Sequence, residues 1–177
     1  MNYHNITTAD MMNGSGLRVV LWLSGCSHKC RGCQNPQTWD ADSGIPFDEA
    51  AKEELFRELG KDYISGLTLT GGDPLFENNL DDVLDLVNRI RLSLPQKSIW
   101  IYSGYKFEDC LLKDKVCEEN IIRALRYEII KQCTVMVDGQ YIDSQRDVSL
   151  PWRGSSNQRV IDIPKSLQKG EIVLWET

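Results

Sequence analysis

The sequence has no apolar run long enough to cross a bilayer. The longest, Val19 to Leu23, is five residues, against the ~20 that a spanning helix needs. The first ten residues, Met1 to Asp10, are polar and contain no apolar secretory stretch, so neither membrane nor export is expected, and a cytoplasmic location is. A basic stripe is also missing. The 20 Lys and Arg are scattered among 26 Asp and Glu, for a net charge of −6. Nucleic-acid binders draw most of their affinity from cations grouped to meet phosphates, so nucleic acid is not an expected partner. There is no internal repeat, no low-complexity tract and no evident linker.

What remains is an ordinary globular composition, 41% apolar and 26% charged over 177 residues, enough for one domain spanning 1–177 and too little for two. Leu17–Leu23, Ile64–Thr70, Ser98–Tyr102 and Thr134–Val137 are short, apolar and bounded by turn residues, as buried strands are. A helix is expected from an Asp48 cap, with Ala51, Leu55 and Leu59 inward, to Gly60. A second carries Val83, Val87, Ile90 and Leu94 on one face and stops at Pro95, and Glu118 to Ile130 reads as a third. Strands alternating with helices predict an α/β fold with a mainly parallel sheet. A closed barrel of eight such units takes roughly 250 residues. The expectation is therefore a partial βα barrel, open on one side, with its chemistry in the loops after the strands.

Six cysteines in a chain without an export signal are expected to be reduced. Cys26, Cys30 and Cys33 form a C-x3-C-x2-C run in one loop, whereas Cys110, Cys117 and Cys133 are dispersed and read as small buried hydrophobes. Four cysteines saturate a [4Fe–4S] cluster, and three leave one iron open to a ligand. A zinc-stabilised interaction module is the competing reading, because His28 completes a nominal Cys3His set. Against it, one residue between Cys26 and His28 is fewer than the two to four usual between zinc ligands. His28 is then a polar loop residue near the open iron. The second unusual loop is Gly71-Gly72-Asp73-Pro74. It is either a plain turn or a place where paired glycines offer unobstructed amides and Asp73 meets an ammonium group.

Cys26-Ser27-His28-Lys29-Cys30-Arg31-Gly32-Cys33 matches the motif of the radical S-adenosylmethionine superfamily, and Gly71-Gly72-Asp73 resembles its amine-binding motif, usually written with Glu third. More narrowly, the chain resembles the activating proteins of anaerobic (class III) ribonucleotide reductases. That likeness rests on Asn13–Arg18, Asn35–Trp39, Tyr102–Tyr105, Val137–Gly139 and above all Trp152–Arg159.

The resemblance implies a [4Fe–4S] cluster on Cys26, Cys30 and Cys33 that cleaves S-adenosylmethionine to methionine and a 5′-deoxyadenosyl radical. That radical takes a hydrogen atom from a glycine of the reductase catalytic subunit. It further implies that Gly71, Gly72 and Asp73 lie along the methionyl amine, with Gly32, Cys33 and Gln34 lining the same pocket. Relatives often have an apolar residue at the place of Gly32, so no adenine contact is assigned there. Ser103 is either a ribose contact or a strand-end residue, and Asp138 either binds ribose or a cation or closes a turn. Such chemistry needs no general base, which suits a chain whose only histidines are His4 and His28. A flavodoxin-like electron donor is implied too, and a homodimer or a heterotetramer with the reductase is compatible. Activation of another glycyl radical enzyme, such as pyruvate formate-lyase, is the alternative within the superfamily. Trp39, Arg153 and Asn157 are the residues expected to meet the partner at the barrel mouth.

Overall fold

The computed structural model describes residues 1–111 and 118–176. Along the chain lie β1 (Asn2–Asp10), β2 (Arg18–Leu23), β3 (Ile45–Pro46), α1 (Glu49–Leu59), β4 (Gly66–Gly71) and α2 (Leu80–Ser93). They are followed by β5 (Ser98–Ser103), α3 (Phe107–Cys110), α4 (Glu118–Ile130), β6 (Val135–Asp138), β7 (Arg159–Asp162) and α5 (Ile163–Lys169). The seven strands form one open sheet in the order β3-β1-β2-β4-β5-β6-β7. Its centre, β2-β4-β5-β6, is parallel, and β1, β3 and β7 pair antiparallel at the margins. The fold is thus α/β with a mixed sheet that does not close.

The central strands are buried on both faces, so Val19–Leu23 and Val135–Val137 run apolar without alternation, while β4 fills its second face with Thr68 and Thr70. One face carries Val19, Leu21, Leu23, Leu67, Leu69, Ile99, Ile101 and Met136 against Leu55 and Leu59 of α1, Val87 and Ile90 of α2 and Ile129 of α4. Capping sets the first helix in place. Asp48 accepts from Ala51 N at 3.0 Å, and Gly60 N donates to Phe56 O at 2.9 Å. Cys110 and Cys133 lie inside this core as expected; Cys117 lies outside the described residues.

The other face builds a second, smaller core that the sequence pattern did not announce. Trp100, Val135, Val137 and Val160 pack there beneath Trp152 and Trp175. The Trp100 ring meets both edge-on, with centroids 5.1 and 5.7 Å away. Trp152 is held at φ 57°, a left-handed conformation uncommon for a bulky residue. Beside them the Arg18 guanidinium lies 5.3 Å over the Trp100 ring. It donates to Thr68 Oγ1 at 2.7 Å, Leu67 O at 2.6 Å and Ser98 Oγ at 2.9 Å. Burial pushes its pKa down to about 10. This second face of the sheet is therefore covered in part by Trp152 and Trp175 from the chain's C-terminal segments. No helix among the described residues is long and apolar enough to cross a membrane.

Candidate functional site

Because β2, β4, β5 and β6 are parallel, the loops after Leu23, Gly71, Ser103 and Asp138 emerge along one edge of the sheet. The first is the cysteine loop. Gly25 turns the chain at φ 91°, and the loop is closed at its base where Gly25 N donates to Thr38 O at 2.8 Å and Cys26 N to Trp39 O at 3.0 Å. Lys29 and Gly32 both adopt positive φ, 44° and 75°, which folds the run back on itself so that Cys33 N reaches Cys30 O at 3.1 Å.

All three cysteines of the run are free thiols of intermediate exposure. Burial, reinforced by the Asp73 carboxylate, pushes Cys26 up to about 11, opposed by the amides of His28 and Lys29. Burial also raises Cys30, with the Tyr141 amide pulling the other way. Among the described residues no three His, Cys, Asp or Glu side chains converge on a single ion position. In a cluster each thiolate takes a different iron. Three unpaired thiols with amide donors around them, on one loop, fit that group by donor chemistry.

The glycine loop lies directly beside the cysteine loop, and the structure gives its amides other partners than a ligand. Gly72 N donates to Leu23 O at 2.7 Å and Asp73 N to Gly25 O at 2.8 Å. Of the paired glycines, Gly72 thus has its amide engaged by the chain itself. The glycines serve the chain's own close approach, since a Cβ on Gly72 would stand 2.6 Å from Gly25 O. Gly71, at φ 93°, packs on the Leu23 backbone in the same way.

Asp73 is buried, at 2% exposure, and gathers the neighbouring strand ends. Its carboxylate accepts from Leu75 N at 2.8 Å, from Ser103 Oγ at 2.8 and 3.1 Å, and from Gly104 N at 2.9 Å. Ser103, in turn, accepts from Tyr105 N at 3.1 Å. Asp138 is committed as well. It accepts from Phe107 N at 2.9 Å, fixing the start of α3, and is ion-paired with Arg159, whose Nε donates at 2.9 Å. The same guanidinium grips Glu108 through both oxygens, at 2.9 and 2.7 Å.

Between these loops lies a cavity of about 510 Å³, lined by His28, Tyr105, Lys106, Asp138, Asn157 and Arg159 among others. Gly32 and Gln34 are exposed on the cysteine loop, and a Cβ on Gly32 would strike Asp143 Oδ1 at 2.7 Å. Of the three residues expected at the mouth, Asn157 lines the cavity, and Trp39 and Arg153 do not. All three carry a buried polar atom without a hydrogen-bond partner among the described residues: Trp39 Nε1, Arg153 Nε and Asn157 Oδ1. The sequence reading missed the contacts of His28 with Asp73 and of Arg159 with Glu108. Their separations, 45 and 51 residues, leave no local pattern to find.

A family model described as a 4Fe-4S single cluster domain matches residues 12–161, so the chain is of the single-cluster iron–sulfur class. The anaerobic ribonucleoside-triphosphate reductase-activating protein of Escherichia coli (strain K12) is 40% identical over 162 residues, covering 90% of this chain and 97% of that protein. The protein of that name from Enterobacteria phage T4 is 44% identical over 160 residues, 90% of this chain and 93% of its own length. The one from Vibrio cholerae is 38% identical over 160 residues, with coverage of 89% and 96%. The chain belongs to the family of anaerobic ribonucleoside-triphosphate reductase-activating proteins.

Proposed function

We propose that this chain generates the glycyl radical of an anaerobic ribonucleotide reductase, through [4Fe–4S]-dependent reductive cleavage of S-adenosylmethionine to methionine and a 5′-deoxyadenosyl radical. The observation that carries the reading is the stitching of the two loops. The three-cysteine loop and Gly71–Asp73 are joined side by side at the ends of β2 and β4 through Asp73 N and Gly25 O, 2.8 Å apart. The open sheet is read as a partial βα barrel whose chemistry sits at that edge.

Cys26, Cys30 and Cys33 would hold the cluster, and three ligands leave one iron for the methionyl group. Gly32, Cys33, Gln34 and Gly71–Asp73 border that group. Asp138 lines the cavity of about 510 Å³, and Ser103, next to the lining residue Gly104, stands behind its wall. Their engagement in Asp73 and Arg159 makes them builders of the wall first. The chain's own work is then to hold thiols and cavity in fixed relation and to exclude water, because a reactive radical must meet only its intended hydrogen donor. The reductase catalytic subunit, a flavodoxin-like electron donor, association as a homodimer or a heterotetramer with the reductase, and a cytoplasmic setting complete the reading.

The test mixes the anaerobically reconstituted, reduced chain with S-adenosylmethionine and the reductase from the same cell. A glycyl radical doublet in the EPR spectrum is expected. Robust cofactor cleavage without a doublet removes the reductase from the proposal and leaves the radical chemistry. Absence of both removes the whole reading.

A further inference from the structure

The imidazole of His28 is enclosed by residues from the ends of three other strands. Its Nδ1 stands 2.9 Å from Gln140 Nε2, beyond β6. Its Nε2 stands 3.0 Å from Asp73 Oδ2, beyond β4. Beyond β5, its ring meets Tyr105 edge-on, with centroids 4.5 Å apart and planes at 66°. The side chain is 9% exposed. Both ring nitrogens face protein groups, an amide and a carboxylate, which leaves neither directed to a metal. Nε2 is off the line of a hydrogen bond to Asp73 and has no other partner. Poorly aligned contacts of this kind are common in unliganded sites and tighten when the ligand arrives.

Gly104 records the same enclosure from the other side. A Cβ added there would fall 2.2 Å from His28 Cδ2, 2.6 Å from Nε2 and 2.7 Å from Cγ, and these are its three nearest atoms. The absence of a side chain at 104 is thus explained by His28. The groups that hold the ring are themselves anchored. Asp73 is fixed by Ser103 and Gly104 N. Tyr105 carries the Arg126 guanidinium 3.7 Å over its ring, and Arg126 Nε is bound to Leu75 O at 2.9 Å.

We propose that His28 is a positioning residue that ties the middle of the cysteine loop to the ends of β4, β5 and β6, and so sets the three thiols in register with the glycine loop and the cavity. The inference rests on the cluster-and-cofactor reading above. An imidazole suits the task because it presents two polar atoms on opposite sides of one flat ring, so a single side chain reaches both Gln140 and Asp73. It also assigns the ring of His28 to the protein scaffold, and with that the nominal Cys3His set loses its fourth member.

The experiment is a double-mutant cycle on the full reconstituted chain, combined with kinetics. Gly104→Ala should lower the melting temperature by about 2–4 °C or more when His28 is present, since the inserted methyl overpacks the ring. In a His28→Ala background it should cost nothing, because the space is then free. An equal loss in both backgrounds overturns the proposal. His28→Ala should keep its iron but raise the KM for S-adenosylmethionine by about tenfold, the lower end for residues that orient ligands from behind. His28→Asn, which keeps a polar atom toward Asp73, should restore part of that loss. Unchanged KM together with an unchanged cofactor-induced EPR shift in His28→Ala overturns it. So does loss of iron in both variants, which would make His28 a ligand. If the wild type itself binds no cluster, the functional reading fails, and the melting-temperature cycle still decides whether the tie exists.

Discussion

Gly72 lies so close to Gly25 that a Cβ added to it would stand 2.6 Å from the Gly25 carbonyl oxygen, and that same oxygen accepts the amide of Asp73 at 2.8 Å. The glycine loop and the cysteine loop are therefore one packed unit. Gly72→Ala should push the two apart, at a cost of about 1–3 kcal/mol for forcing a methyl into a filled space. It should also lower the iron retained after anaerobic reconstitution. Urea unfolding and iron analysis measure both, and unchanged values in the variant would mean that the two loops are independent.

Reconstitution should yield about four iron and four sulfide per chain, as expected of one [4Fe–4S] cluster. Cys26→Ala, Cys30→Ala and Cys33→Ala should each lose it. Cys110→Ala and Cys133→Ala should retain it, since those thiols are enclosed in the hydrophobic core and lie on other elements than the cysteine loop. Full iron in any of the first three variants would break the assignment of ligands.

Much of this arrangement was written in local pattern. β2, β5 and β6 are legible because strands buried on both faces read as near-continuous apolar runs, and β4 because Leu67 and Leu69 alternate with β-branched Thr68 and Thr70 between bounding glycines. α1 announces itself through Asp48 and Gly60. β1 does not, because Asn2–Asp10 is a polar strand at the margin of the sheet, half exposed and bulged near His4 and again between Thr7 and Asp10. β7 is four residues long and owes its place to pairing with β6. The C-x3-C-x2-C spacing singles out the cysteine loop by itself. That His28 turns to Asp73, or that Asp138 is taken by Arg159, depends on which strand ends meet across the sheet, and no periodicity carries that information.

The Arg159 cluster gives a pH dependence. Hydrogen bonds from Arg159 hold the Glu108 carboxyl down at about 2, against a smaller opposing effect of burial. A carboxylate depressed in the folded state stabilises fully above its unfolded value of about 4.5 and loses that contribution as pH falls toward about 2. Glu108→Gln should therefore flatten the acid limb of the stability curve between those values, with a small effect because the pair is largely exposed and screened. Urea midpoints of the metal-free chain, taken across that interval, measure it. A variant curve parallel to the wild type would mean that the pair contributes nothing to folding.

The last prediction concerns the partner. Trp39 Nε1 and Arg153 Nε are buried polar atoms with no hydrogen-bond partner among the described residues, an uncommon state that costs stability unless another molecule supplies the missing group. Each residue is otherwise held in place. Trp39 O receives Cys26 N at 3.0 Å, and Arg153 Nη1 donates to Gln158 O at 2.9 Å. Trp39→Phe removes the orphaned N–H while keeping an aromatic ring, and Arg153→Lys removes Nε while keeping a cation that can reach Gln158 O. Neither change should lower stability by more than about 1 kcal/mol, because Trp39 Nε1 and Arg153 Nε make no internal hydrogen bond and the lysine ammonium can replace Arg153 Nη1 at Gln158 O. If these donors await the reductase, both variants should cleave S-adenosylmethionine alone at the wild-type rate. Both should form the glycyl radical about tenfold or more slowly, the effect of leaving one charge-assisted contact unmade across an interface. EPR quantitation of the radical against methionine released separates the two steps. Equal losses in both readouts would place Trp39 and Arg153 in the cofactor site instead, and wild-type values in both would release them from any role in activation.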